Sequence, residues 1–328
     1  MGRQKNQMID LFDPVLPEDR LDPLYVSLLR SPVHDLARSD INAAFARMGD
    51  PNGQFAAYFQ GAAFHARLFE IACFSYLEAA GFVADRTYDA PDFMVAKDGV
   101  EIAVEVVTAN PPDSASRNIG GTLIEDLPLE RMMEKVAREF PRRMNTALKK
   151  KVRRGYHQEA HVAGKAIVLM TQPAFEAGAN FYIDESLAPC LFGDGDENAG
   201  FFSRDDARPI SAIAYCNGFT VSKFWRLSSP DIFRTRVRAV RKGHCLVELS
   251  DNPCQPRRYG FEVGDPAAPQ ETWAEGVTLF LNPNADIPLV PAVLPASCTM
   301  AMTRGGSLMK CVSGFHPLTS VMLASPRK

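Results

Sequence analysis

Apolar residues recur along this 328-residue chain with two periods, and the switch between them marks out its elements. Over 54–80 the spacing is three and four: Phe64, Leu68, Ile71, Phe74 and Leu77 fall on one helical face, and Gly81 follows as a stop. From 82 the period drops to two. Residues 82–87 read as a strand, Pro91-Asp92-Phe93 opens a second, Lys97-Asp98-Gly99 is a turn, and Val100 to Thr108 alternates as a third strand. The second and third strands make a β-hairpin. The helical period returns over 128–156, where Pro128 begins a helix, Met144, Leu148 and Val152 line one side, and Pro141 predicts a kink. Residues 165–171 and 210–216 are unbroken apolar runs suited to strands covered on both faces, with a helix expected between them over 180–188.

The flanks differ from this core. Pro14, Pro17, Pro23, Pro32 and Pro51 leave room only for short helices such as 40–48, so residues 1–53 read as an N-terminal extension packed on the core. The Pro111-Pro112 pair ends the third strand, and a polar loop with Gly120-Gly121 follows. Beyond 217, short β-like runs at 236–240, 245–249 and 277–281 alternate with Pro, Gly and Asn. Residues 218–328 are therefore expected to form a β-rich antiparallel region packed on the 54–217 core or extending its sheet. The class is α/β.

Within the hairpin, Glu101, Ala103, Glu105 and Val107 share one strand face, and Ile102, Val104, Val106 and Thr108 the other. Glu105 is thus a carboxylate in the middle of an apolar strand, a position that calls for a metal, a base or a proton. Asp92 begins the adjacent strand and is expected beside it. Two carboxylates on neighbouring strands are a natural oxygen-ligand site for Mg²⁺ or Mn²⁺.

At these residues the chain resembles the PD-(D/E)XK nuclease superfamily, whose pattern is Asp, a hairpin of variable length, then Glu-X-Lys on the next strand. Asp92 and Glu105 supply the first two parts, but Val107 stands where the Lys belongs. The resemblance implies a restriction-endonuclease-like mixed central sheet flanked by helices, with a β-rich C-terminal extension. It also implies metal-assisted phosphodiester hydrolysis, with Mg²⁺ or Mn²⁺ held by Asp92, Glu105, the Val106 carbonyl and a Glu of the preceding helix. Glu70 is the expected helical Glu and Glu78 its rival; either also reads as a solvated helical residue. The missing cation is expected from elsewhere in the fold, or else the site no longer cleaves and the fold serves as a binding module for nucleic acid or a protein. A third reading has Glu105 neutralised by an internal Arg. Val162-Ala-Gly-Lys-Ala166 and the block from Trp273 to Asn284 are similar to stretches in a group of bacterial proteins, which supports the fold without adding an activity.

The second half of the 128–156 helix carries Arg142, Arg143, Lys149, Lys150, Lys151, Arg153 and Arg154 with no acidic residue among them. One reading is a solvated basic face. The other is a nucleic-acid contact through Arg142, Arg143, Lys149, Lys151 and Arg153. Lys149 and Lys151 flank the apolar stripe, and Lys149 is expected to reach the slot left by Val107. A net charge of −3 makes any nucleic-acid surface local.

Other chemistries fall away. Seven cysteines without a Cys-x-x-Cys pair favour neither a disulfide framework nor a zinc knuckle. His157 and His161 are spaced i, i+4 but fall where the helix ends, so no zinc site is expected there. The Gly193-Asp-Gly-Asp-Glu197 run lacks the remaining ligands of a calcium loop. No nucleophile elbow or phosphate-binding Gly-Lys-Ser/Thr loop occurs. No signal segment or apolar run of about 20 residues is present, so the expected setting is cytoplasmic, without membrane contact.

Overall fold

In a computed structural model, which describes residues 9–110, 127–176, 178–195, 198–227, 237–248 and 255–326, the 54–80 pattern resolves into two helices. They follow α1 (Pro23–Arg30) and α2 (Asp35–Met48) as α3 (Phe55–Gln60) and α4 (Phe64–Ala79). The break falls at Gly61, where a Cβ would meet Leu16 Cδ1 at 3.0 Å. α4 is buried nearly all round from Leu68 to Leu77, because α2 covers the side away from the sheet. It ends as expected at Gly81, with Phe82 N–H donating to the Leu77 carbonyl at 3.0 Å.

The strands follow in order: β1 (Val83–Asp85), β2 (Phe93–Lys97), β3 (Val100–Ala109), β4 (Ala166–Pro173), β5 (Ile210–Tyr215), β6 (Val237–Val247), β7 (Arg257–Glu262), β8 (Thr278–Leu281), β9 (Cys298–Met302), β10 (Leu308–Val312) and β11 (Phe315–Pro326). Asp98 at φ 50° and Gly99 at φ 78° close the β2–β3 hairpin, which requires two left-handed residues in succession. One sheet of eight strands runs β1-β2-β3-β4-β5-β8-β9-β10, with β3, β4 and β5 parallel at its centre. A second sheet runs β11-β6-β7. The chain is a mixed α/β protein with a large mixed sheet flanked by helices.

Alternation along β3 divides its residues between two cores. Ile102, Val104 and Val106 join the core on the α4 side. Ala103 and Val107 join the other, with Phe140, Met144, Leu148 and Val152. Those four belong to α6 (Phe140–Val152), which follows α5 (Leu129–Glu134) after a π-helical turn at Lys135–Glu139. The π-helical turn ends two residues before Pro141, which falls in the first turn of α6, where its missing N–H is tolerated.

Two expectations need revision. The helix over 180–188 is replaced by two 3₁₀ turns, Ala179–Phe181 and Asp184–Ser186, and α7 begins only at Ala188–Phe192, because Pro189 fits the first turn of a helix but not its interior. The runs at 236–240 and 245–249 lie largely within one strand, β6, continuous through Gly243, where a Cβ would sit 2.0 Å from the Thr319 carbonyl oxygen. The 277–281 run takes one of the two placements expected for this region: β8 pairs with β5, and β8, β9 and β10 extend the core sheet. α8 (Val221–Leu227) packs against α2. The Pro111-Pro112 stop, the Gly120-Gly121 loop and Asp196-Glu197 of the acidic run lie outside the described residues.

Candidate active site

The β2–β3 register brings the two sequence-predicted carboxylates together. Phe93 pairs with Val104, which sets Asp92 opposite Glu105 one step further along. Asp92 N–H donates to Glu105 Oε2 at 3.1 Å, and Val106 N–H donates to Asp92 Oδ2 at 2.8 Å. In a strand, one residue's N–H and C=O point the same way, so the Val106 carbonyl is also directed toward the Asp92 side. Glu105 is 3% exposed. Asp92 keeps part of its surface open, yet its carboxylate is packed about by protein. Burial first, then the charges of Glu105 and Glu70, push the Asp92 carboxyl up to about 7 against the opposing pull of Lys151.

The cation at this site is Lys151. Its Nζ donates to Glu105 Oε1. Lys149, the residue the sequence favoured, lies on the other flank of α6, near Cys190. The difference follows from the stripe. Lys151 immediately precedes Val152 and Lys149 immediately follows Leu148, so the two ammoniums leave the buried face in opposite directions. The third reading, an internal Arg on Glu105, is replaced by this lysine.

Glu70 takes a different role from the one expected. Its two oxygens receive Arg86 Nη2 and Arg67 Nη1, each at 2.5 Å, and it is 3% exposed. A carboxylate already spent on two guanidiniums is no free metal ligand; it acts on Asp92 through its charge. Glu78 is held by a two-point pair with Arg47, which removes the rival.

One further residue belongs to the site. Tyr156 is 3% exposed, and its hydroxyl has no hydrogen-bond partner of acceptable geometry. Burial, with the neighbouring Glu105 carboxylate as the next cause, raises its pKa. The stripe Met144, Leu148, Val152 reaches Tyr156 with one more step of four, so the pattern contained it. The helix has ended by then, and Gly155 turns the chain so that Tyr156 enters a short 3₁₀ turn.

Of the expected nucleic-acid residues, Arg142 and Arg153 are exposed, as is Lys150, and they follow one another along the outer face of α6. Arg143 instead lies over the Phe175 ring at 4.9 Å. Lys151 is committed to Glu105. His161 bonds the Ala90 carbonyl through Nε2 at 2.8 Å and stacks on Tyr88.

Among the described residues, Asp92 and Glu105 together face one ammonium, since Arg67 and Arg86 are spent on Glu70. When both are ionised the pair lacks one positive charge, and that shortage is part of what drives Asp92 upward. Two adjacent carboxylate groups and a carbonyl, with the Tyr156 hydroxyl beside Glu105, form an oxygen-rich donor set that fits a hard divalent cation. Comparison with protein-family models, with curated proteins and with solved structures finds no match to this chain.

Proposed function

We propose that this chain is a metal-dependent nuclease with a restriction-endonuclease-like core, hydrolysing nucleic-acid phosphodiester bonds at Asp92 and Glu105. The observation that carries the reading is a lysine from a neighbouring helix, Lys151, on the strand carboxylate whose own motif lacks one. Asp92, Glu105 and the Val106 carbonyl would hold Mg²⁺ or Mn²⁺, with Glu70 tuning the charge from behind rather than coordinating. Bound there, the ion supplies Lewis acidity toward water and phosphate oxygens. Lys151 places a positive charge where negative charge grows on the phosphoryl group, and the Tyr156 hydroxyl has a donor to offer a phosphate oxygen. Arg142, Lys150 and Arg153 offer a path for the nucleic-acid backbone, which would bind with salt-sensitive, sequence-independent affinity.

The test is cleavage of supercoiled plasmid, linear duplex, single-stranded DNA and RNA in Mg²⁺, Mn²⁺ or EDTA. Activity should vanish with EDTA, Asp92→Ala and Lys151→Ala, and survive Lys149→Ala. Activity that persists in Asp92→Ala sinks the proposal. One observation favours a second reading, a non-catalytic binding module: the Lys151–Glu105 pair already neutralises Glu105. On that reading, the folded protein takes up no Mn²⁺ through Asp92 and cleaves none of the four substrates.

A further inference from the structure

A second group of metal-ligand side chains lies further along the eight-stranded sheet, at β9. Asp184, Cys298 and His316 are 3%, 1% and 2% exposed, and one ligand atom from each lies within 4.8 Å of the other two. We propose that these three residues form a closed structural site for one Zn²⁺, fastening the small sheet to the large one. Cys298 opens β9 in the eight-stranded sheet, His316 lies near the start of β11 in the three-stranded sheet, and Asp184 opens the turn ahead of α7.

Three features support a cation at this point. His316 Nε2 stands 3.3 Å from Asp184 Oδ2. Zinc bond lengths of about 2.0–2.2 Å to N and O place two tetrahedral ligands about 3.3–3.5 Å apart, so this edge already has the required length. Second, the other imidazole nitrogen is accounted for. Ser297 Oγ lies 2.8 Å from His316 Nδ1, accepts the Gly276 N–H at 2.8 Å, and reaches the Val277 carbonyl at 3.5 Å. In the tautomer where Ser297 gives its hydroxyl proton to Val277 it accepts Nδ1–H, which leaves the Nε2 lone pair, beside a carboxylate oxygen, free to bind a cation. An outer hydrogen bond that fixes the tautomer in this way is the usual support of a metal-bound histidine.

Third, the donor set selects the metal. Thiolate, imidazole and carboxylate suit Zn²⁺, whereas Mg²⁺ and Ca²⁺ take oxygen alone. The Thr278 hydroxyl, 2.7 Å from Asp184 Oδ2, or a water completes four positions. Lys310 now lies 3.4 Å from Asp184 Oδ2 but also contacts Glu185, so it keeps a partner if the ion displaces it. The charges then balance: the dication against Asp184 and a Cys298 thiolate, Lys310 against Glu185. Binding forms bonds to Sγ, Nε2 and a carboxylate oxygen and releases the thiol proton to solvent.

The experiment is Co²⁺ and Zn²⁺ loading of the full chain, read by absorption, metal content and thermal melting. We expect one Co²⁺ per chain with a thiolate-to-metal charge-transfer band. The band should be retained in Asp92→Ala and in Cys311→Ser, which alters an exposed cysteine, and lost in Cys298→Ser. Chelation of Zn²⁺ from the wild-type chain should lower its melting temperature and readdition restore it, which tests the site without any variant. A wild-type chain that shows no thiolate band and no Zn²⁺-dependent melting shift overturns the proposal and leaves His316 as an imidazolium paired with Asp184.

Discussion

Replacing Lys151 by Met removes the one ammonium that, among the described residues, faces Asp92 and Glu105. The side chain of Glu105 is 4% exposed and that of Lys151 26%, so the lost pair is buried at one end and partly wet at the other. Stranding a fully buried partner costs about 3–5 kcal/mol. Solvent at the lysine end reduces this, and we expect about 2–3 kcal/mol at pH 8. The cost should shrink at pH 5. Without Lys151 the two carboxylates share a proton more readily, so the folded state holds a proton that the unfolded chain has released, and stability falls as pH rises through that window. Mn²⁺ should recover the loss, since an ion at 100 times its Kd adds about 2.7 kcal/mol. Urea unfolding of wild type, Lys151→Met and Lys149→Met at both pH values, with and without Mn²⁺, measures every term. Lys149→Met should stay within about 0.5 kcal/mol of wild type. Equal costs for the two lysines, or a Lys151 cost independent of pH, would refute the placement of the charge.

Other outcomes follow from the same geometry. Asp92→Asn keeps an acceptor for Val106 N–H and removes a carboxyl held up to about 7. The wild-type group favours folding most below about pH 4 and loses that contribution as pH rises to about 7. The variant should therefore be more stable than wild type at pH 8 by about 1–2 kcal/mol in melts without metal, show little advantage at pH 4, and bind no Mn²⁺ by calorimetry. Arg86→Met leaves Glu70 with one of its two guanidiniums and should cost about 2–3 kcal/mol in urea unfolding. The triple change of Arg142, Lys150 and Arg153 to Gln should weaken nucleic-acid binding for all sequences alike and flatten the salt dependence by up to about 0.9 per lost phosphate contact, with Mn²⁺ binding unchanged. Asn282→Ala loses two buried hydrogen bonds to the carbonyls of Ala207 and Ile210 and should cost about 2–4 kcal/mol by the same unfolding assay.

What the sequence revealed depended on the range of the interaction. The hairpin was legible because its turn chemistry, Asp98-Gly99, and its alternation are local, and they fixed Asp92 against Glu105 without further information. The parallel pairing of β4 with β3 on one side and β5 on the other accords with the apolar runs at 165–171 and 210–216. The insertion of β8 beside β5 was not legible, because a four-residue strand carries no mark of its partner. Glu70 could be located on its helix, but its two arginines come from one turn upstream and from the segment after β1, and nothing in the spacing of Arg86 announces it. The Asp184, Cys298 and His316 cluster joins Asp184 to two residues more than 100 positions downstream and has no local signature. The Asn282-Pro283-Asn284 block turned out to be a clamp: Asn282 ties two carbonyls, and Asn284 a third on Phe202.

The lysine exchange has a packing logic. Position 107 is 1% exposed and joins the same core as Met144, Leu148 and Val152. A lysine there would bring four methylenes and an ammonium into a face that α6 fills with apolar side chains, and burying that charge costs several kcal/mol unless it reaches Glu105 cleanly. Val107 keeps the face dry and helps set the depth at which α6 seats. That seating aims Lys151, the residue just before Val152, at the carboxylate. Its side chain remains 26% exposed, which lowers the desolvation cost relative to a lysine at the buried position 107. Val107 and Lys151 are thus coupled: restoring a lysine at 107 in a Lys151→Met background should return charge to Glu105 while loosening α6. A Val107→Lys, Lys151→Met double variant should therefore recover the Mn²⁺-free pH profile of wild type and still unfold at lower urea than either wild type or Val107→Ala.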